Sequence, residues 1–123
     1  IEAAGMPFNE VVYSTAVYAW GVKGHLQQAM AYLEQAERAG LANQAVYFSM
    51  LHNYAKHALA DDAVALLGNM KARGTWPNTK CYNAGMEAAR RAGRYELCMQ
   101  LFQDLQVGGP GARRQAAALP HVR

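Results

Sequence analysis

The feature that most constrains this chain is a period. Val12-Tyr13-Ser14, Val46-Tyr47-Phe48 and Cys81-Tyr82-Asn83 align with one another, with the tyrosines 34 and 35 residues apart. A second anchor follows each: Gly24-His25-Leu26, Ala58-Leu59-Ala60 and Gly93-Arg94-Tyr95. A third closes the unit: Glu37-Arg38-Ala39-Gly40, Lys71-Ala72-Arg73-Gly74 and Gln106-Val107-Gly108-Gly109. Three anchors in one order at one period are the signature of stacked supersecondary units, none of which can bury its apolar face alone.

Each unit reads as two helices. In the second, Tyr47, Met50, Leu51 and Tyr54 fall at i, i+3, i+4 and i+7, one helical face. Asp61 and Asp62 suit the N-terminus of the next helix, whose stripe is Ala63, Leu66, Leu67 and Met70. Lys71 and Arg73 close it, Gly74 stops it, and Pro77 prevents its continuation. The corresponding stripes are Leu26, Ala29, Met30 and Leu33 in the first unit, and Leu97, Met99, Leu101, Phe102 and Leu105 in the third. The expected organisation is the end of a preceding repeat at 1–9, repeats at 10–43, 44–78 and 79–113, the last with a degenerate end, and a flexible tail at 114–123. The expected fold is all-α, a right-handed α-solenoid of helix-turn-helix units.

Composition agrees with a folded chain: 52% of the 123 residues are apolar and 17% charged. No apolar run reaches the roughly 18 residues of a membrane span. The net charge of +3 permits an anionic partner. It is unevenly spread, −1 in the first unit, +1 in the second and +2 in the third.

No enzyme chemistry assembles. No nucleophile stands beside a base and an oxyanion donor, so the chain reads as a non-enzyme. His52 and His57 are spaced poorly for one helical face, His25 sits at a turn, and His121 stands in the tail, so neither a metal nor a cofactor is expected. Cys81 and Cys98 read as buried thiols, Cys98 taking the small packing position of Ala29 and Ala63. Gly108-Gly109-Pro110-Gly111 lacks the Lys-Ser or Lys-Thr of a phosphate loop. Trp20 and the tyrosines, Tyr18 among them, read mostly as core, and Phe48 as a groove residue. Trp76 lies in a linker.

The units resemble the pentatricopeptide repeat. The third carries Tyr82-Asn83, Gly93-Arg94 and Leu101-Phe102, and the second Ala63-x-x-Leu66-Leu67-x-x-Met70 and Gly74-x-x-Pro77-Asn78. The Trp and Pro landmarks of the tetratricopeptide repeat, which has a similar period, are missing. The resemblance implies a fragment of a longer array that binds single-stranded organellar RNA, in the mitochondrion or the plastid, along the concave face of stacked first helices. It implies a role in RNA processing, stability or translation, with each repeat reading one base.

Carried onto this chain, the resemblance implies base contacts from Ser14 with Asn43, Phe48 with Asn78, and Asn83, whose partner would be Arg113. It implies base-face packing by Val11, Ala45 and Lys80, and phosphate contacts by Lys56 and Arg91; Val22 stands where the first unit's basic residue belongs, with Lys23 beside it. Ser14 with Asn43 is a combination associated with adenine. Phe48 departs from the pattern, because a phenyl ring can stack but cannot hydrogen-bond a base edge. The degenerate pairs leave a second reading open: a structural helical-repeat subunit of a large organellar complex, such as a mitochondrial ribosome, acting through protein subunits or non-specific rRNA contacts.

Overall fold

A computed structural model describes residues 8–108. The proposed preceding-repeat end, except Phe8 and Asn9, lies outside the described residues, as do Arg113, the Gly-Pro-Gly run beyond Gly108, His121 and the tail. The described residues form six helices: α1 (Glu10–Val22), α2 (Leu26–Arg38), α3 (Gln44–Lys56), α4 (Ala60–Ala72), α5 (Thr79–Arg91) and α6 (Tyr95–Gly108).

Local chemistry sets the boundaries. Asn9, Asn43 and Asn78 adopt extended backbone and cap the first helix of each unit. Their Oδ1 atoms accept from the backbone N–H groups of Val12 at 2.9 Å, Val46 at 3.1 Å and Cys81 at 3.0 Å. Each cap satisfies a donor that would otherwise be orphaned, at a typical gain of about 1 kcal/mol. The turns inside the first and third units place Gly24 and Gly93 in the left-handed region. The second unit puts Ala58 there, at φ 56°, a conformation that costs an L-residue roughly 1–2 kcal/mol.

The helices form two layers. α1, α3 and α5 pack side by side, while α2 rests on α1 and α3, α4 on α3 and α5, and α6 on α5. Among the described residues, none of the second helices packs extensively on another. A stack whose first helices touch while its second helices splay must curve toward the first-helix side. That makes α1, α3 and α5 the concave face of an α-solenoid.

One continuous apolar core runs between the layers, with Val17, Leu33, Tyr47, Met50, Leu51, Leu67, Met70 and Tyr82 all buried. Each such side chain contributes roughly 1.5–3 kcal/mol by leaving water. The surface ion pairs add about 0–1 kcal/mol each, so the stack is held by its core.

The outer end of the third unit departs from its stripe. Met99 is 62% and Phe102 50% exposed, although Phe102 corresponds to the buried Leu33 and Leu67. The helices that carry those leucines pack on the first helix of the following unit, α2 on α3 and α4 on α5, and no such helix follows Phe102 among the described residues. Cys98 corrects its expectation for the same reason: it is only half-buried, whereas Cys81 is buried, and both are free thiols.

Candidate nucleic-acid interface

Ser14, Phe48 and Asn83 stand five residues after the capping asparagines, at one place on α1, α3 and α5. Two hollows open along this face. The larger, of about 780 Å³, is lined by Asn43, Ala45, Phe48, Asn78 and Lys80, together with Glu10, Gln44 and Trp76. The smaller, of about 190 Å³, is lined by Phe48, His52, Lys56, Asn83, Glu87 and Arg91. Eight residues singled out in the sequence thus meet at two adjoining hollows that share Phe48, with Lys56, Asn83 and Arg91 in the smaller. Val11, 69% exposed, and the half-buried Ser14 lie on α1 and line neither hollow.

The two asparagines of the larger hollow are held differently. The Asn78 Nδ2 donates to Gln44 Oε1 at 3.2 Å, and Gln44 Nε2 donates to the Trp76 carbonyl at 2.6 Å. The Asn43 Nδ2 has no hydrogen-bond partner among the described residues. The Ser14 hydroxyl donates to the Val11 carbonyl at 3.1 Å, which leaves its lone pairs open.

The cations differ as well. Lys56 is exposed and makes no ion pair among the described residues. Arg91 Nε lies 2.7 Å, and the Arg90 guanidinium 2.6 Å, from one oxygen of Glu87. The bonds from Arg90 and Arg91 hold the Glu87 carboxyl below its ordinary pKa, so it stays charged. Arg91 is therefore a partly neutralised cation. The bridge is half-exposed, and such pairs are weak enough for a phosphate to compete with.

Two further residues belong to this face, and one of them, Tyr18, escaped the sequence reading. Tyr18, expected in the core, is 47% exposed, and its ring centre lies 5.5 Å from that of His52. His52 in turn lies 5.9 Å from Phe48. Tyr18 and His52 each stand four residues after Ser14 and Phe48, the spacing of one helical face. That signal was present. It was hidden because α1 carries apolar residues all round, with Val11, Val12, Tyr18 and Val22 exposed. Burial, then the charges of Lys56 and Arg91, push the His52 pKa down, which favours a neutral ring beside the other two.

Among the described residues, no group of three or more His, Cys, Asp or Glu side chains could hold a metal ion. No helix among them is long and apolar enough to cross a membrane.

The fold and the repeated face define a class: an α-solenoid of two-helix repeats with a grooved first-helix layer. Residues 46–75 match the family model of the PPR repeat, the pentatricopeptide repeat. The fold is similar to the crystal structure of the pentatricopeptide repeat protein PPR10 from maize, with a TM-score of 0.76 and 19% identity. That likeness covers 85% of this chain and 15% of the maize chain. No curated protein matches the chain. The sequence likeness to the pentatricopeptide repeat thus spans residues 46–75, and the likeness beyond them is one of fold.

Proposed function

We propose that the chain binds single-stranded RNA along the concave face of α1, α3 and α5, in a mitochondrion or plastid. The observation that carries this reading is the convergence of Asn43, Phe48, Asn78 and Lys80 on one open hollow, with Lys56 at the next. Amide groups for base edges, a ring for base faces and a cation for phosphate are what a single strand requires. The residues assigned to base contacts are Ser14, Asn43, Phe48, Asn78 and Asn83, of which Phe48 offers only its ring. Those assigned to base faces are Val11, Ala45 and Lys80, and those assigned to phosphate are Lys56 and Arg91.

Magnitudes limit the affinity. Stacking contributes about 1–3 kcal/mol per base, so three units supply roughly 3–9 kcal/mol before ordering costs. A micromolar complex needs about 8 kcal/mol. These units alone bind weakly, and tight binding calls for more repeats.

Fluorescence anisotropy with labelled single-stranded RNA across a salt series tests the proposal. Binding weakens as salt rises, and Lys56→Ala flattens the salt slope by about 0.7, the share of one phosphate contact on a single strand. Arg91→Ala flattens it less, because Glu87 already neutralises part of that charge. An RNA affinity that ignores both substitutions would refute the phosphate assignments.

The Glu87 bridges also favour the second reading, a structural subunit of a large organellar assembly. They remove free positive charge from the face where RNA would need it. Recovery of the native protein with the subunits of one complex, its RNA contacts absent or scattered, would select that reading.

A further inference from the structure

The polar wall of the larger hollow closes on itself in the second unit, while its floor offers a flat ring. Asn78 is pinned at both ends of its amide: Oδ1 accepts from the Cys81 N–H at 3.0 Å, and Nδ2 donates to Gln44 Oε1 at 3.2 Å. Gln44 is pinned in turn, donating to the Trp76 carbonyl at 2.6 Å. A base edge that approached Asn78 would have to displace Gln44, or make do with the second Nδ2 hydrogen or a poorly directed lone pair of an amide already held at both ends. Phe48, which lines the same hollow, has no polar atom in its side chain, and the His52 ring centre stands 5.9 Å from that of Phe48 and extends the aromatic surface. The first unit has no such latch among the described residues: Glu10, which corresponds to Gln44, makes no bond to Asn43.

We infer that the second unit holds a nucleobase by its faces, on Phe48, and selects little among bases, because the Asn78–Gln44–Trp76 chain holds its edge-reading amide to the protein. The inference rests on the RNA-binding reading above. It makes Phe48 a determinant of affinity and Gln44 a determinant of tolerance. Every base presents a π-face, so the loss of the ring must weaken all bases alike.

The test uses the full chain and short labelled homopolymers of A, U and C, long enough to span its units. Phe48→Leu keeps apolar bulk and removes the flat ring; it weakens binding to all three by a similar factor, roughly tenfold. Phe48→Trp binds each at least as well as the unaltered chain. Gln44→Ala releases Asn78 and shifts the ratio of affinities among the three by about threefold or more. Helical circular dichroism confirms that each variant is folded, and Gln44→Ala leaves the Phe48 packing in place should Phe48→Leu unfold. A Phe48→Leu loss confined to one base, or no loss on any, overturns the inference while leaving RNA binding intact. Unchanged ratios in Gln44→Ala overturn the latch. An unaltered chain that binds none of the homopolymers overturns the RNA-binding reading and this inference with it.

Discussion

The two joints between units do the same task with opposite chemistry. Between the first and second units the contacts are polar and buried. Glu37, whose side chain is 5% exposed, accepts from the Tyr47 hydroxyl at 2.6 Å, from Asn69 Nδ2 at 3.0 Å and from Arg73 Nε at 3.2 Å. The fully buried Asn53 donates to the Val17 carbonyl at 3.1 Å, and His57 Nε2 lies 3.4 Å from the Gly21 carbonyl. Between the second and third units, the place of Glu37 is taken by Lys71. Its ammonium sits 5.4 Å from the Tyr82 ring centre and 5.8 Å from that of Trp76. The Tyr82 hydroxyl is buried without a partner among the described residues. The place of Asn53 is taken by the buried Ala88, and Asp61 on the outside pairs with Arg94.

Both joints produce the same close packing of first helices. What they share is small or apolar residues where α1 meets α3 and α3 meets α5. The polar groups are therefore accommodated by the stack rather than responsible for it. They differ in how much a single change can cost, because a buried polar group left without its partner is penalised by its full desolvation.

The largest effect is expected at Gly21. A Cβ there would lie 1.9 Å from Asn53 Nδ2, inside the polar joint. Gly21→Ala must displace a fully buried amide and its bond, at a cost of about 2–4 kcal/mol in urea unfolding. A Cβ at Gly85, in the other joint, would meet only leucine side chains, the tip of Leu67 at 2.8 Å and that of Leu101 at 3.5 Å. If Gly85→Ala proves as damaging as Gly21→Ala, the contrast between the joints fails.

Next comes Glu37→Ala. It strands the Tyr47 hydroxyl and the Asn69 amide together, whereas Arg73 can turn to water, so the expected loss is about 2 kcal/mol. A thermal midpoint unchanged by this substitution would mean that the carboxylate only offsets its own desolvation.

The paired phenol deletions sharpen the comparison most cleanly. Tyr47→Phe removes a donor to a carboxylate and costs about 1.5 kcal/mol. Tyr82→Phe removes a buried hydroxyl that has no partner, so it is neutral or slightly stabilising. Equal losses from the two would contradict the assignment of a polar and an apolar joint.

The smallest effect is a gain. Ala58→Gly relieves a left-handed alanine at the turn where the neighbouring units have glycine. After the added freedom of the unfolded chain is discounted, about 0.5–1 kcal/mol of stabilisation remains. A loss instead would show that the turn carries no strain.

Much of the fold was legible because it depends on local signals repeated in register. The tyrosine period, the glycine stops and the asparagines ahead of each first helix name the helices and their order. The joints were not legible, because Glu37 meets Tyr47, Asn69 and Arg73 across two units and three helices, and no periodic pattern encodes that meeting. On the concave face, Phe48 reads as a groove residue from its register alone, and it is in fact half-buried, with one side on the core. Tyr18 could not be assigned by periodicity on a helix that is apolar all round. The Glu87–Arg91 pair has the i, i+4 spacing of a helical ion pair, a signal in plain view that qualifies Arg91 as a free cation. The Gln44–Asn78 latch lies 34 residues apart, one period, so the repeat itself brings its two ends together. The exposure of Phe102 was hidden because burial of that stripe depends on a following helix, not on the residue.

The central claim is that single-stranded RNA occupies the concave layer of first helices. The most direct measurement is nuclear magnetic resonance of the isotope-labelled chain titrated with single-stranded RNA. The account predicts shift changes concentrated at Asn43, Phe48, His52, Lys56, Asn78, Lys80 and Asn83, with α2, α4 and α6 largely undisturbed. Changes centred on the second helices, or none at RNA concentrations well above micromolar, would contradict it.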